Sequence, residues 1–536
     1  MALLLRHEGC LTTILCPQEN AIDSFIQKYS ENVIGVLNGW DRLLIRGTLR
    51  ALAVTSGMMN YLYCLGVLLK DFGAFVEDAS MRVKTASLEA AERLGRPVKY
   101  LPSTRTGKED VARRIAEDDG IAEGLICVLT CVEPCMSYSI RRDRASKKLV
   151  LEPALRKCLH AYHYWMDRDF GLMHGRIQTW FPFSIQVCLN GRSWLARQMD
   201  RIGMEYHRRE NCFVWLEDVA GAQQLMDQLL KMNWPQWLDN VAGRVNPALD
   251  SVLRGYHVNY YWSAYESEWA SDVMFADPSA LERIYPLLAR GAISSFGSDN
   301  VMRFLGKKLC GQFRGEVVSS YRRRPEGLRV KHSVRTNSVK MYDKQGSVLR
   351  VETTINNPRD LKVYRKAEGD PDGVRRWLRM RKGVADLRRR AELSQASNER
   401  YYEALAALDT DLGLGELIGP ICRSRKFRGH RVRALRPWSP EDLALFRAIN
   451  RGEHIVNGFR NRDLVGLLHG IPSSPVERKR LANQIGHRLR LLRAHGIIRR
   501  ITRTHRYKLT KKGRQITTAI LQAQATTVGA LAREAA

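Results

Sequence analysis

Between Cys158 and Trp180, side chains alternate with a period of two on either side of a short polar loop, a pattern that fits an antiparallel hairpin better than any helix. Placing Met166 opposite Leu172 around the loop Asp167–Gly171 sets Tyr164 against His174, Tyr162 against Arg176 and His160 against Gln178. These six hydrogen-bonding side chains then share one sheet face, while Trp165, Met173, Ile177 and Thr179, with His163 among them, share the other. A one-residue slip would scatter the cluster, so the reading stands or falls with this register. The polar face reads either as the wet outside of an ordinary hairpin or as a nucleic-acid-facing or catalytic surface. In the second case His174 and Arg176 need a carboxylate from elsewhere in the chain, and Glu133 and Glu352 are the candidates.

The chain has 536 residues, enough for three or four domains, and its hydrophobic fraction of 44% is that of a globular protein. Lys and Arg number 86 against 56 Asp and Glu, a formal charge of +30. Such an excess points to a polyanionic partner, most simply nucleic acid, DNA more readily than RNA. No apolar run is long enough for a spanning helix, so a membrane partner is not expected. Eleven scattered cysteines fit free thiols in a reducing cytoplasm rather than a disulfide framework. The spacing Cys127-x3-Cys131-x3-Cys135 is too wide for the usual structural zinc pairs and reads as a buried strand. The oligomeric state is left open.

The expected fold class is multidomain α+β. Residues 1–246 read as an N-terminal α/β domain. Within it, Val33–Leu37, Asn38-Gly39 and Trp40–Arg46 suggest a first hairpin turning at Asn-Gly. A strand at Leu125–Val132 is expected to end at Glu133-Pro134. Thr104-x-x-Gly107-Lys108 precedes a predicted helix but lacks the spacing of a phosphate-binding P-loop. Residues 247–366 read as helices up to about residue 310, followed by an antiparallel meander of four strands. Residues 367–437 read as a long basic helix from Gly373 to Leu408 and a basic linker. Arg388 and Arg389 on that helix are candidate phosphate contacts. Carboxylates able to hold Mg²⁺ or Mn²⁺ are Asp41, Glu133 and Glu352.

In the meander, Tyr342-Asp-Lys is followed by a strand reading Leu349-Arg-Val-Glu352. This pair of segments resembles a short motif of rolling-circle replication initiators of plasmids and filamentous phages. The resemblance spans residues 337–352 and implies Tyr342 as a DNA-nicking nucleophile and Glu352 as a metal-holding carboxylate. A phenol nucleophile needs a nearby cation, and Lys340 on the same strand face is the candidate. The paired metal-binding histidines of such enzymes have no counterpart, because His160-Ala-Tyr-His163 has a different spacing. Residues 1–400 also resemble an uncharacterised bacterial family, which brings no activity with it.

The segment 438–536 shows three helices, at Ser439–Asn450, Asn461–His469 and Pro475–His495, then two short strands around a basic tip and a closing helix. This order resembles the winged-helix DNA-binding domain of bacterial regulators. The resemblance implies that the third helix enters the major groove, presenting Arg478, Lys479, Asn483, Gln484, His487 and Arg488. Arg503, His505 and Arg506 would serve the wing. The leading expectation is a nucleic-acid-binding protein of a mobile-element kind that nicks or joins DNA with Mg²⁺ or Mn²⁺. A non-enzymatic winged-helix regulator and an RNA-binding protein stay open as alternatives. All three require a steep salt response. With about 6–10 phosphate contacts, affinity should fall roughly 10³–10⁵-fold between 50 and 200 mM salt, and a flat response in a binding titration would contradict all of them.

Overall fold

The computed structural model describes residues 22–103, 105–307, 317–324, 327–367, 369–370, 372–408, 414–451, 454, 458–501 and 504–525. The chain mixes helices and strands and contains a large mixed sheet. It divides into two compact units. One, the sheet unit, comprises Val36–Ser271 and Thr354–Glu392; the other, the meander unit, comprises the residues up to Gly35, Asp272–Thr353 and the chain from Leu393 onward. No described helix is long and apolar enough to cross a membrane.

The sheet unit is built on β1 (Val33–Leu49), β2 (Val98–Tyr100), β3 (Gly124–Arg142), β4 (Leu149–Asp167), β5 (Gly171–Gln178) and β6 (Ile185–Asn190). A separate ribbon pairs β7 (Tyr206–Arg209) with β8 (Cys212–Leu216), and β9 (Tyr260–Phe275) returns to the sheet beside β1. The order is β9-β1-β6-β5-β4-β3-β2, with β1–β6, β6–β5, β5–β4 and β4–β3 antiparallel and β3–β2 parallel. The hairpin register follows the alternation: Tyr164 lies opposite His174, Tyr162 opposite Arg176 and His160 opposite Gln178. Pairing continues one step further, to Asp167 opposite Gly171, because Asp167 Oδ1 accepts hydrogen bonds from the backbone N–H of Asp169 at 3.0 Å and of Phe170 at 3.1 Å and closes the loop.

Several sequence expectations fail here for identifiable reasons. Asn38-Gly39 is not a turn; β1 runs straight through it. The Gln223 side chain takes both backbone groups of Asn38, accepting from its N–H at 2.8 Å and donating to its carbonyl at 3.0 Å. Gly39 is needed for close approach, since a Cβ there would lie 2.4 Å from Cγ of Met226. Likewise β3 does not stop at Glu133-Pro134 but continues to Arg142, with Pro134 opposite Lys157. The expected helical stretch 247–310 contains the sixteen-residue strand β9, whose Tyr260, Trp262 and Ala264 alternate inward. The expected long helix from Gly373 begins only at Leu387; Arg376–Arg379 is a strand paired with Lys362–Arg365, and Gly383 lies against the Tyr261 hydroxyl, where a Cβ would come within 2.6 Å. Most of the hairpin's polar face is covered: His160, Tyr162, Tyr164 and Gln178 are buried, and His174 and Arg176 are half-buried. The helix Lys108–Asp118 lies over it, packing Ala112, Ile115 and Ala116 against Tyr162, Tyr164, Cys127 and Leu129.

In the meander unit, β10 (Val317–Arg324), β11 (Gly327–Val334), β12 (Asn337–Lys344) and β13 (Val348–Ile355) follow one another as neighbours, close to the predicted strands. The end of β9 lies next to β13, where Arg350 forks onto Asp272 with contacts of 2.6 and 2.8 Å, both side chains fully buried. The C-terminal part has its own core, in which Phe446, Ile449, Leu464, Ile485, Leu492 and Ile516 are buried together. Its helices are Pro440–Ile449, Asn461–His469, Pro475–Ala494 and Lys511–Ala525, with a small sheet of Phe459–Arg460, Arg506–Leu509 and Ile498–Arg500 in that order. The predicted Ser439 cap is present, its hydroxyl accepting from Asp442 N–H at 3.3 Å. Within the segment read as a basic linker, Arg425–Phe427 and His430–Val432 form a two-stranded ribbon.

Gly39→Val should cost about 1–3 kcal/mol of stability through overpacking against Met226, read as a lower urea midpoint with the slope unchanged. An unchanged midpoint would contradict a continuous β1 packed at this point.

Candidate nucleic-acid interface and carboxylate sites

Four antiparallel strands of the sheet unit place Arg46, Gln186, Arg176 and Tyr162 in one straight row, each opposite the next. Glu133 on β3 is the carboxylate that joins this row. Its Oε1 accepts from the Tyr162 hydroxyl at 2.6 Å and lies 3.2 Å from Lys108 Nζ, and its Oε2 lies 3.0 Å from Arg176 Nη1. Burial alone would raise its pKa, but Tyr162, Arg176 and Lys108 outweigh that and hold the carboxyl below its ordinary range. The same burial, together with Glu133, pushes the Tyr162 phenol up, so it acts as a donor and not as a nucleophile. Of the two carboxylates named as candidates for Arg176, Glu133 is the one beside it, and both its oxygens are engaged by protein donors.

The histidines of this hairpin are neutral. Burial, then the nearby Arg176, lowers His160 to about 4; burial, then Arg42 and Arg176, lowers His174 to about 4; burial lowers His163 to about 4. At neutral pH His174 therefore offers no positive charge to a phosphate. Its ring sits against Tyr164, with centroids 4.9 Å apart. The cysteines of β3 are buried free thiols, and Cys135 Sγ lies 3.0 Å from Cys158 Sγ.

Asp41, on β1, is buried and accepts from Asn190 Nδ2 at 3.2 Å and from Asn211 Nδ2 at 3.1 and 3.0 Å. A carboxylate oxygen of Glu268, on β9, comes within 4.8 Å of one of Asp41. Glu268 was hidden from sequence reasoning because its segment was read as helix. In the meander unit, Glu352 is buried with Lys340, Nζ to Oε1 2.6 Å. Tyr342 is half-buried two residues along β12, opposite Arg329, while the Lys340 ammonium points to Glu352. On the helix Leu387–Ala406, Arg388 pairs with Glu392 at 3.3 Å and Arg389 with Asp386 at 2.7 Å.

The C-terminal helix Pro475–Ala494 presents two contrasting faces. Leu481, Ile485, Leu489 and Leu492 are buried. Arg478, Lys479, Asn483, Gln484 and His487 are exposed, and Arg488 is half-buried. Beside it a cavity of about 370 Å³ is lined by His430, Arg431, Arg433, His487, Arg488 and Arg490, with no carboxylate among the lining residues. The ribbon forming its second wall was invisible in a sequence so rich in arginine, where charge masked the alternation. Arg433 is tied down by Asp442 at 2.7 and 2.9 Å, so the cavity wall is held in place. His505 is exposed and Arg506 half-buried; Arg503 lies outside the described residues. No family model matches the chain, and no curated protein or solved structure matches it either.

The buried histidines give a pH prediction. A folded pKa near 4 lies below the unfolded value of about 6.5, so the unfolded chain takes up protons first as pH falls. Stability is full above about pH 6.5 and is lost as pH drops toward 4. His163→Phe should remove on the order of 1–2 kcal/mol of the loss between pH 7 and 5, measured by urea unfolding at both pH values. Equal losses in variant and parent would contradict a neutral buried His163.

Proposed function

We propose that the protein binds nucleic acid, with duplex DNA as its first ligand, through the C-terminal helix Pro475–Ala494. The supporting observation is the division of that helix into a buried leucine and isoleucine stripe and an exposed face of Arg, Lys, Asn, Gln and His. Asn and Gln are the side chains that can bond adenine edges, and Arg and Lys suit guanine edges and phosphates. Three helices, a small sheet and a closing helix are the elements a winged helix uses, and in that reading His505 and Arg506 lie on the wing. The arginine-lined cavity beside His487 extends the positive surface away from the helix along the ribbon His430–Val432.

Fluorescence anisotropy with duplex and single-stranded DNA and with RNA tests this reading. Replacing both Arg478 and Lys479 by Ala should weaken binding to all sequences and reduce the salt slope by about 2, one unit per lost phosphate contact. Replacing Asn483 or Gln484 by Ala should cost about 1–3 kcal/mol on a preferred site and little on random sequence. Unchanged affinity in both sets would contradict the proposed face, and preference for RNA over every duplex would move the reading to RNA.

A second reading adds strand cutting, because Asp41 and Glu268 are an acidic pair of the kind that Mg²⁺ or Mn²⁺ takes with oxygen ligands. Such an ion would polarise a phosphodiester; Tyr342 as nucleophile draws no support from Lys340, whose ammonium is spent on Glu352. Nicking of labelled DNA that requires the metal and disappears in Asp41→Asn is the expected outcome. Nicking that persists in Asp41→Asn and disappears in Tyr342→Phe would reverse the assignment.

A further inference from the structure

A second cavity lies in the sheet unit, distant in sequence from the C-terminal helix. It has a volume of about 370 Å³, within the range of about 300–1,000 Å³ typical of small-molecule sites. Its lining divides into two kinds of surface. Arg46 and Lys382 supply positive charge, hydroxyls come from Ser137, Ser184 and Ser263, and no Asp or Glu takes part. The remaining lining is largely apolar, with Met136, Pro153, Pro182 and Tyr265 beside the polar Thr48 and Asn356.

Two further observations show that this cavity is short of a partner. Ser184 is only 7% exposed, yet among the described residues its hydroxyl has no hydrogen-bond partner. A buried hydroxyl without a partner costs on the order of 1–3 kcal/mol, which a ligand atom at this wall would relieve. Arg46, moreover, stands in the row that also contains Arg176. Glu133 answers Arg176 and Lys108, whereas among the described residues no Asp or Glu lines the cavity. Two cations brought together without a lining carboxylate are an arrangement that an anion stabilises. Inorganic phosphate alone would meet these cations and leave the apolar wall in contact with water. A group that carries a phosphate at one end and a flat ring at the other meets both walls, the ring stacking on Tyr265 and the prolines.

We propose that this cavity binds one phosphorylated nucleoside, with Arg46 and Lys382 on the phosphate, Ser184 on a sugar or base polar atom, and Tyr265 and Met136 against the base. The site belongs to the sheet unit and does not rest on the DNA-reading role of the helix Pro475–Ala494. The same chemistry is presented by a free nucleotide and by the terminal nucleotide of a chain.

The test is isothermal titration of the full-length protein with adenosine 5′-monophosphate, adenosine, ribose 5-phosphate and inorganic phosphate. Adenosine 5′-monophosphate should bind at least tenfold more tightly than each of the other three, and Lys382→Ala and Arg46→Ala should each weaken it tenfold or more. Lys382 is exposed, so its variant decides the matter should Arg46→Ala fail to fold. Absence of nucleotide binding at millimolar concentration, binding unchanged in Lys382→Ala, or equal binding of ribose 5-phosphate would overturn the proposal. Competition with short 5′-phosphorylated and 5′-hydroxyl oligonucleotides then separates the two sources. Displacement by the phosphorylated chain alone assigns the cavity to a chain end, and displacement by neither assigns it to a free nucleotide. Both variants leave Arg478 and Lys479 in place, so loss of duplex binding and loss of nucleotide binding are independent results.

Discussion

The sheet unit depends on strand register. Side chains on a strand alternate faces, so one choice of pairing places Arg46, Gln186, Arg176 and Tyr162 in a row, and a slip of one residue at any junction would turn part of that row over. The choice is enforced from above and below. The helix Lys108–Asp118 brings Lys108 to Glu133 and its alanines to Tyr162 and Tyr164. On the opposite face Met173, Ile177 and Val187 are buried. Most of the polar face is therefore interior, and the hydrogen bonds of its buried groups are obligatory. Leaving the Glu133 carboxylate there without Arg176, Lys108 and Tyr162 would strand a charge away from water.

The same logic explains where the excess positive charge can act. Many of the acids in buried or half-buried positions are already committed. Asp272 holds Arg350, Glu352 holds Lys340, Asp386 holds Arg389, and Asp442 holds Arg433. Asp299 gathers Lys508 and Arg499, and it stays ionised: burial would raise its pKa, but those cations bring it below the ordinary range. Such pairs orient elements more than they stabilise them. With the internal acids engaged in this way, cations on exposed faces such as Arg478 and Lys479 are left for an external anion. The proposed nucleic-acid partner rests on this distribution and not on the total of +30 by itself.

Much of this architecture was legible in the sequence where periodicity and capping agreed. The hairpin register, the four meander strands and the helices of the C-terminal part, including the Ser439 cap, all follow from local patterns. The failures have a common cause, which is that a distant residue replaced the partner a local rule assumes. Asn38-Gly39 has turn chemistry, but Gln223 supplies the hydrogen bonds that a turn would have made. Pro134 reads as a stop, yet β3 pairs through it. In β9 the inward residues Tyr260, Trp262 and Ala264 alternate, but Tyr261 and Tyr265 on the other face are aromatic too and blur the period, which concealed Glu268 beside Asp41. Arg376–Arg379 reads as helix because Trp377, Met380, Val384 and Leu387 recur at intervals of three and four up to the helix that begins at Leu387. Of the site, Glu133 could be named in advance only as one of two candidate carboxylates for Arg176, whereas Lys108, the ribbon at His430–Val432 and the cavity around Ser184 depend on tertiary contacts that no local pattern encodes.

The central claim is that the exposed face of the helix Pro475–Ala494 is the surface that meets nucleic acid. Ultraviolet crosslinking of the full-length protein to bound nucleic acid, followed by mass spectrometry of the crosslinked peptides, addresses it most directly. The account predicts crosslinks concentrated in peptides containing Arg478 to Arg488, with a second group around His505. Crosslinks confined to the sheet unit, with none on that helix, would contradict it.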